Sequence, residues 1–178
     1  MASPAIPTNE EQRLRTLQNY LILDTPPEYR FDILTEYAAV TFDVPTALIS
    51  LVDENRQWFK SRCGLDTPET PRDVSFCGHA ILDDGILMIC NASLDPKFSD
   101  NPLVTGSPFI RFYAGCPLTM PSGDRIGTFC LIDYKPRHPL DEWELDHLRL
   151  LAKIASLEIQ GIDASQSFMD TQAVKRQP

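Results

Sequence analysis

The alternation of apolar and polar positions is sharpest in the middle of the chain. Residues 114–120 and 125–133 read as two strands, and Pro121-Ser-Gly-Asp124 between them joins a fixed φ to a residue free to take φ > 0. The second run is rich in apolar, β-branched and aromatic residues and is bounded by turn formers, which predicts a half- or fully buried strand. Residues 46–52 form a short, almost continuous apolar run, the pattern of a buried strand, with residues 57–63 as its hairpin partner across a turn at 53–56. Residues 86–90 supply a further strand.

Helical spacing governs both ends. Leu14, Leu17 and Leu21 form one stripe of a helix starting at Thr8 or Asn9, where Thr8-Asn-Glu-Glu11 resembles a capping box; Asp24-Thr-Pro-Pro27 stops it. Phe31, Leu34, Ala38 and Phe42 share one face of a second helix over 28–42. Residues 75–82 predict a short helix capped by Asp73 or Ser75. Asp141 opens a long helix running to about residue 162. That helix carries two stripes, Leu148, Leu151, Ala155 and Ile162 on one side and Leu150, Ile154 and Leu157 on its neighbour, so either one broad core face or a core face plus a partner face fits. Residues 64–71 read as a loop, and 91–108, with four Pro and Gly breakers, as an irregular and functional or mobile crossing. The predicted organisation is a disordered lead at 1–8, one domain over 9–162, and a polar tail or linker at 163–178. Hairpins with helices to one side indicate an α+β domain with a largely antiparallel sheet.

Composition narrows the partners more than the fold. A net charge of −9 over 178 residues argues against a phosphate-backbone partner and against adhesion to anionic membranes. No run reaches the roughly 20 apolar residues of a membrane helix, and the N-terminus lacks an export signal, so a cytoplasmic protein is expected. The five cysteines stand 13 or more residues apart, which excludes C-x-x-C zinc and redox motifs. Cys116 and Cys130 lie within apolar strands and are expected to be small core residues. No metal-binding histidine pair, P-loop, G-x-G-x-x-G or G-x-S-x-G elbow occurs, and no catalytic residues are expected.

Four places carry candidate chemistry: Cys77 with His79, Asp95, Arg111 with Tyr113, and Asp133. Cys77 opens a predicted helix, where free amides favour the thiolate, while simple packing as a buried thiol is the plainer alternative. His79, two residues on, points away from it, so the pair is not a Cys-His catalytic unit. Arg111, beside Phe112 and Tyr113 at a strand entrance, suits an anionic or planar ligand or an ion pair with Asp95 or Asp100. Asp133 ends a strand and is expected to cap a turn.

Leu23-Asp-Thr-Pro-Pro27, Phe31-Asp32, Arg56-Gln-Trp-Phe-Lys60, Ser75-Phe-Cys-Gly-His-Ala-Ile81, Arg111-Phe-Tyr-Ala-Gly115 and Gly127-Thr-Phe-Cys-Leu-Ile-Asp133 together resemble the GAF domains of bacterial signalling proteins. The resemblance implies a PAS-like GAF fold: a six-stranded antiparallel sheet with terminal helices packed on one face and a ligand pocket with short helices and loops on the other. It implies a small-molecule pocket under residues 76–113. There Cys77 and His79 would line the floor, Arg111 would hold an anionic group, Phe112 and Tyr113 would stack, and Phe76 and Asp95 would complete the ligand-binding set. It also implies homodimers through the terminal helices and an output kinase, cyclase or phosphodiesterase domain. The chain lacks the Asn-Lys-Phe-Asp-Glu signature of cyclic-nucleotide-binding relatives and has no cysteine between Asp95 and Arg111 for a covalent bilin, so neither is expected and the ligand stays unidentified. Cys77-Gly78 matches one active-site position of free methionine-R-sulfoxide reductase, but the other would fall near Thr105 or Gly106, neither a cysteine. Three readings follow: a small-molecule sensor, a Cys77-based redox sensor or enzyme with Cys63 or Cys90 resolving, and a ligand-free dimerisation module.

Overall fold

Seven consecutive buried residues make β1 (Thr46–Val52) the strand around which the sheet assembles. In this computed structural model, which describes residues 3–161, β1 pairs antiparallel with β2 (Arg56–Cys63) on one side and β6 (Arg125–Asp133) on the other. With β3 (Glu69–Pro71), β4 (Leu87–Ile89) and β5 (Phe112–Thr119), the sheet has six strands in the order β3-β2-β1-β6-β5-β4, and every pairing is antiparallel. The β5–β6 hairpin turns at Pro121–Asp124, where Gly123 takes φ 86°, a left-handed conformation open to glycine at no steric cost.

One face is covered by α2 (Tyr29–Thr41) and α5 (Glu142–Ile159), which also touch each other; α1 (Glu10–Asn19) lies against β6. A pleated strand sends neighbours to opposite faces. Ala47, Ile49, Leu51, Phe112, Ala114, Phe129 and Leu131 therefore join Phe31, Ala38, Leu148, Leu151 and Ala155 in one apolar core. Asp141 starts α5 with a reciprocal capping box to Glu144, and Gly161 at φ 69° follows its last turn. Leu150 of the second stripe is exposed and Ile154 and Leu157 are half-buried, so the helix has a core face and an outward apolar face.

The opposite face is closed by α3 (Phe76–Ala80), α4 (Pro102–Thr105) and the loops between β4 and β5. This lid builds a second core with Leu48, Val52, Phe59, Tyr113, Cys130 and Ile132 beneath it.

Several local expectations change. The Thr8 capping box does not form: Asn9 stands at the cap position without a side-chain cap, and its amide donates to Asp124 instead, at 2.9 Å. Asp124 collects Thr16 and Ser122 as well, tying α1 to the β5–β6 turn. Residues 64–71 contain the short edge strand β3, and the crossing at 91–108 contains α4, capped by Asn101. Pro4 lies against Gly78 of α3. The tail expected at 163–178 lies outside the described residues.

Candidate functional site

The site builds from the register of the central strands. Ser50 and Thr128 are cross-strand partners, and Cys130 lies two residues beyond Thr128 on the same face. Tyr113 of β5 reaches over them; a Cβ at Gly115 would stand 2.1 Å from the Tyr113 hydroxyl oxygen, so only glycine leaves the ring its path. From above, Ser75 caps α3 by accepting from the Gly78 N–H at 2.8 Å, which sets Cys77 facing down onto the sheet.

These elements bring Cys77 Sγ to 3.8 Å from Cys130 Sγ, and the Tyr113 hydroxyl donates to Cys77 Sγ at 3.4 Å. The Ser75 hydroxyl donates to Gln57 Oε1 at 2.6 Å, Ser50 does so more weakly at 3.5 Å, and the Gln57 amide donates to Thr70. Thr128 Oγ1 is buried and makes no hydrogen bond of ordinary geometry. Burial pushes the Cys77 thiol up, but the hydrogen-bonding groups of Cys130, Thr128, Tyr113 and Ser50 outweigh it and hold the thiol below its ordinary value. Cys130, hydrogen-bonded to Cys77 and buried, is pushed well up and keeps its proton; Tyr113, buried beside the Cys77 charge, is pushed up too. Cys116, on the helix face, is raised by burial to about 11, as a plain core thiol should be.

Around this centre the lid is aromatic. Phe76 stacks on Phe98 with ring centroids 4.4 Å apart and lies 5.2 Å from Tyr113, while His79 meets Phe98 edge-on at 4.9 Å. Phe76, Cys77, Phe98 and Tyr113 are all buried, so protein side chains occupy the space under the lid.

The other expected site residues lie further out. Arg111 is half-buried and spans the lid base, donating to the carbonyls of Val104 at 2.9 Å and Ile110 at 3.0 Å. Asp95 accepts from the Lys97 N–H in a turn. Phe112 is separated from Tyr113 by the sheet itself, since it belongs to the helix-side core and Tyr113 to the lid-side core. The two rings cannot stack on one ligand. Asp133 caps a turn through the Lys135 N–H and pairs with Arg137. Sequence reasoning missed Ser50, Gln57 and Thr128 and gave Cys130 only a packing role. Period-two alternation did carry the signal that Thr128 and Cys130 share a face.

A second concavity, about 680 Å³, runs along β2 beside α2. A register shift between Ile49 and Ser50 bulges β2, so that Lys60 and Ser61 both turn toward α2. Lys60 is buried with its three donors directed at Thr25 Oγ1, the Pro26 carbonyl and Glu28, and it sits over the Phe31 ring. Its bonding capacity is filled, so this groove reads as a brace for the 24–28 loop. Among the described residues no group of three or more His, Cys, Asp and Glu could hold a metal ion, and no helix is long and apolar enough to cross a membrane.

A six-stranded antiparallel sheet with a helix layer behind and a short-helix lid in front defines a layered α+β domain. The GAF domain family model matches residues 26–159, and the chain belongs to that family. A cyclic di-GMP phosphodiesterase of Pseudomonas aeruginosa is 39% identical over 170 residues; the match covers 96% of this chain and 29% of that protein. Among solved structures, the GAF domain of an Acinetobacter phosphoenolpyruvate-protein phosphotransferase is similar with a TM-score of 0.62 at 19% identity, covering 86% of this chain and 94% of that one. A type II free methionine-R-sulfoxide reductase from Thermoplasma acidophilum is similar with a TM-score of 0.59 at 12% identity, covering 85% and 95%. Both structures speak to the fold alone.

Proposed function

We propose that this GAF domain is a regulatory input module of a bacterial signalling protein, without a catalytic step of its own, that reads a chemical state under the lid and relays it through α5. The observation that carries the reading is that β6 serves both cores. Thr128, Cys130 and Ile132 point under the lid while Phe129 and Leu131 pack beneath the helix layer. A change on one face therefore moves the footing of the other, because packed layers switch between arrangements and do not deform continuously. The relative from P. aeruginosa, named a phosphodiesterase and matched over 29% of its length, supports an arrangement in which such a module controls a larger output of the cyclic-dinucleotide kind.

The small-molecule form of this reading places a ligand between the sheet and the 91–110 segment after that segment lifts. Phe109, held at φ 63° and half-exposed, marks backbone strain in the segment, and Arg111 ties its base. Lifting frees Arg111 for an anionic group and Tyr113 for stacking. The outward faces of α2 and α5 expose Tyr29, Ile33, Tyr37, Val40, Trp143 and Leu150, an apolar surface suited to a second copy of the chain. Hydrogen exchange and native mass spectrometry test this together. Arg111→Ala should loosen the lid, release any co-purifying small molecule, and change amide exchange in α5. An α5 whose exchange ignores the lid variant overturns the relay.

A further inference from the structure

We propose that Cys77 and Cys130 form a two-thiol oxidation site, in which a small hydroperoxide converts the pair into an intramolecular disulfide. This deepens the regulatory reading, on which it rests for its consequence, by supplying a chemical input under the lid. The two sulfurs, 53 positions apart in sequence, stand 3.8 Å apart with no atom between them to displace. A disulfide needs about 2.0 Å, so closure is a movement of roughly 2 Å by a side chain on a five-residue helix.

The surroundings distinguish the two partners. Cys77 accepts from the Tyr113 hydroxyl at 3.4 Å, so it is the nucleophile. Cys130, on a central strand, keeps its proton and is the resolving thiol. The Cys77 sulfur attacks the terminal oxygen of R–O–O–H; the O–O bond breaks, the leaving alkoxide takes the proton the thiol gave up and departs as R–OH, and Cys77 carries a sulfenic acid. Cys130 sulfur then attacks Cys77 sulfur, its proton leaves with the sulfenic hydroxyl as water, and the S–S bond forms. Two thiols supply the two electrons that reduce the peroxide. Tyr113 supplies the donor that steadies the thiolate before attack.

The other cysteines are placed differently. Cys116 lies in the helix-side core on the far face of the sheet, while Cys63 and Cys90 are partly exposed. If accessibility alone governed oxidation, Cys63 and Cys90 would react and the buried pair would not. Pro4 packs on Gly78 at the outer side of α3, and Cys77 and Cys130 are both buried beneath the lid.

The test treats the folded chain with equimolar hydrogen peroxide and maps the peptides without reduction. The expected product is a Cys77–Cys130 linked peptide, formed equally in a Cys63→Ser/Cys90→Ser background. In Cys130→Ala, with folding verified by circular dichroism, the link is lost and Cys77 is trapped as a dimedone adduct. Oxidation confined to Cys63 and Cys90, with Cys77 and Cys130 still reduced in the folded protein, overturns the site. Hydrogen exchange of α5 before and after oxidation separates the two ideas. No linked peptide sinks the oxidation site whatever α5 does, whereas a linked peptide with unchanged α5 exchange leaves the site standing and sinks the relay.

Discussion

The two faces of this sheet are made by the same strands and differ in what they bury. Toward α2 and α5, β1 and β6 present Ala47, Ile49, Leu51, Phe129 and Leu131. Toward the lid they present Leu48, Ser50, Val52, Thr128, Cys130 and Ile132, and β2 adds the Gln57 amide. An apolar layer asks only for shape, whereas each buried hydroxyl or thiol needs a partner, and an unsatisfied one costs about 1–3 kcal/mol. The helix face holds the fold; the lid face accepts a stability cost and holds groups whose chemical state can change.

Truncation should expose that division most strongly. Phe129→Ala removes a fully buried ring beneath α5, in a layer of long elements with little room to collapse, and should cost about 4 kcal/mol. Phe98→Ala removes an equally buried ring whose neighbours are a five-residue helix and loops, which can close inward, so about 3 kcal/mol or less is expected. Urea midpoints of the two variants give the comparison directly. A lid variant that falls further than the helix-face variant reverses the assignment of roles.

Glu10 joins the two regions and gives the next effect. Its carboxylate accepts from Arg13 on α1 and from Arg72 in the turn that leads to α3, while Arg13 also donates to the Val52 carbonyl at 2.6 Å. Burial pushes the Glu10 carboxyl up, but the two guanidinium groups outweigh it and hold it at about 2, against an ordinary 4.5. A carboxylate lowered in the fold contributes stability that is fully present above its unfolded value and is lost as pH falls through its folded value. Stability should therefore drop between about pH 4.5 and pH 2, and Glu10→Gln should flatten that acid limb while lowering stability at neutral pH. Urea titrations at pH 3 and pH 6 read both; an acid limb of unchanged slope in the variant would assign the loss to other carboxylates.

The legible part of the molecule was the part written in local periodicity. The alternation in residues 114–133 and the apolar run at 46–52 gave β5, β6 and β1, and Asp141 marked the start of α5. The two elements that escaped, β3 and α4, have three and four residues, too few for a period to show. Thr8 looked like a cap because Thr-x-x-Glu is a local signal, but Asn9 was drawn to Asp124, 115 residues away. The site divides in the same way. Cys77 stood out at a helix start, yet its neighbours Ser50, Thr128 and Cys130 arrive through the β1–β6 register, a pairing over some 80 residues that no local pattern contains. Phe112 and Tyr113 were grouped as neighbours in sequence, and strand geometry places them on opposite faces.

Thr128→Val gives the smallest effect and the sharpest contrast between the faces. Valine keeps the shape and removes a buried hydroxyl that makes no hydrogen bond of ordinary geometry while Cys77 holds its proton, so there the variant should gain about 1 kcal/mol. The same hydroxyl helps hold the Cys77 thiol below its ordinary value. Without it Cys77 should titrate at higher pH, followed by ultraviolet thiolate absorbance in the Cys63→Ser/Cys90→Ser background. Because Cys77 is lowered in the fold, its thiolate adds stability that is present above the unfolded value and lost as pH falls through the folded one. The gain from valine should then be larger in acid, where the thiolate contributes nothing, than at alkaline pH, where the wild type has that contribution to lose. A Thr128→Val protein that is more stable by the same amount at every pH, with Cys77 titrating unchanged, would show that the hydroxyl has no hold on the thiol. The lid face would then differ from the helix face in polarity alone.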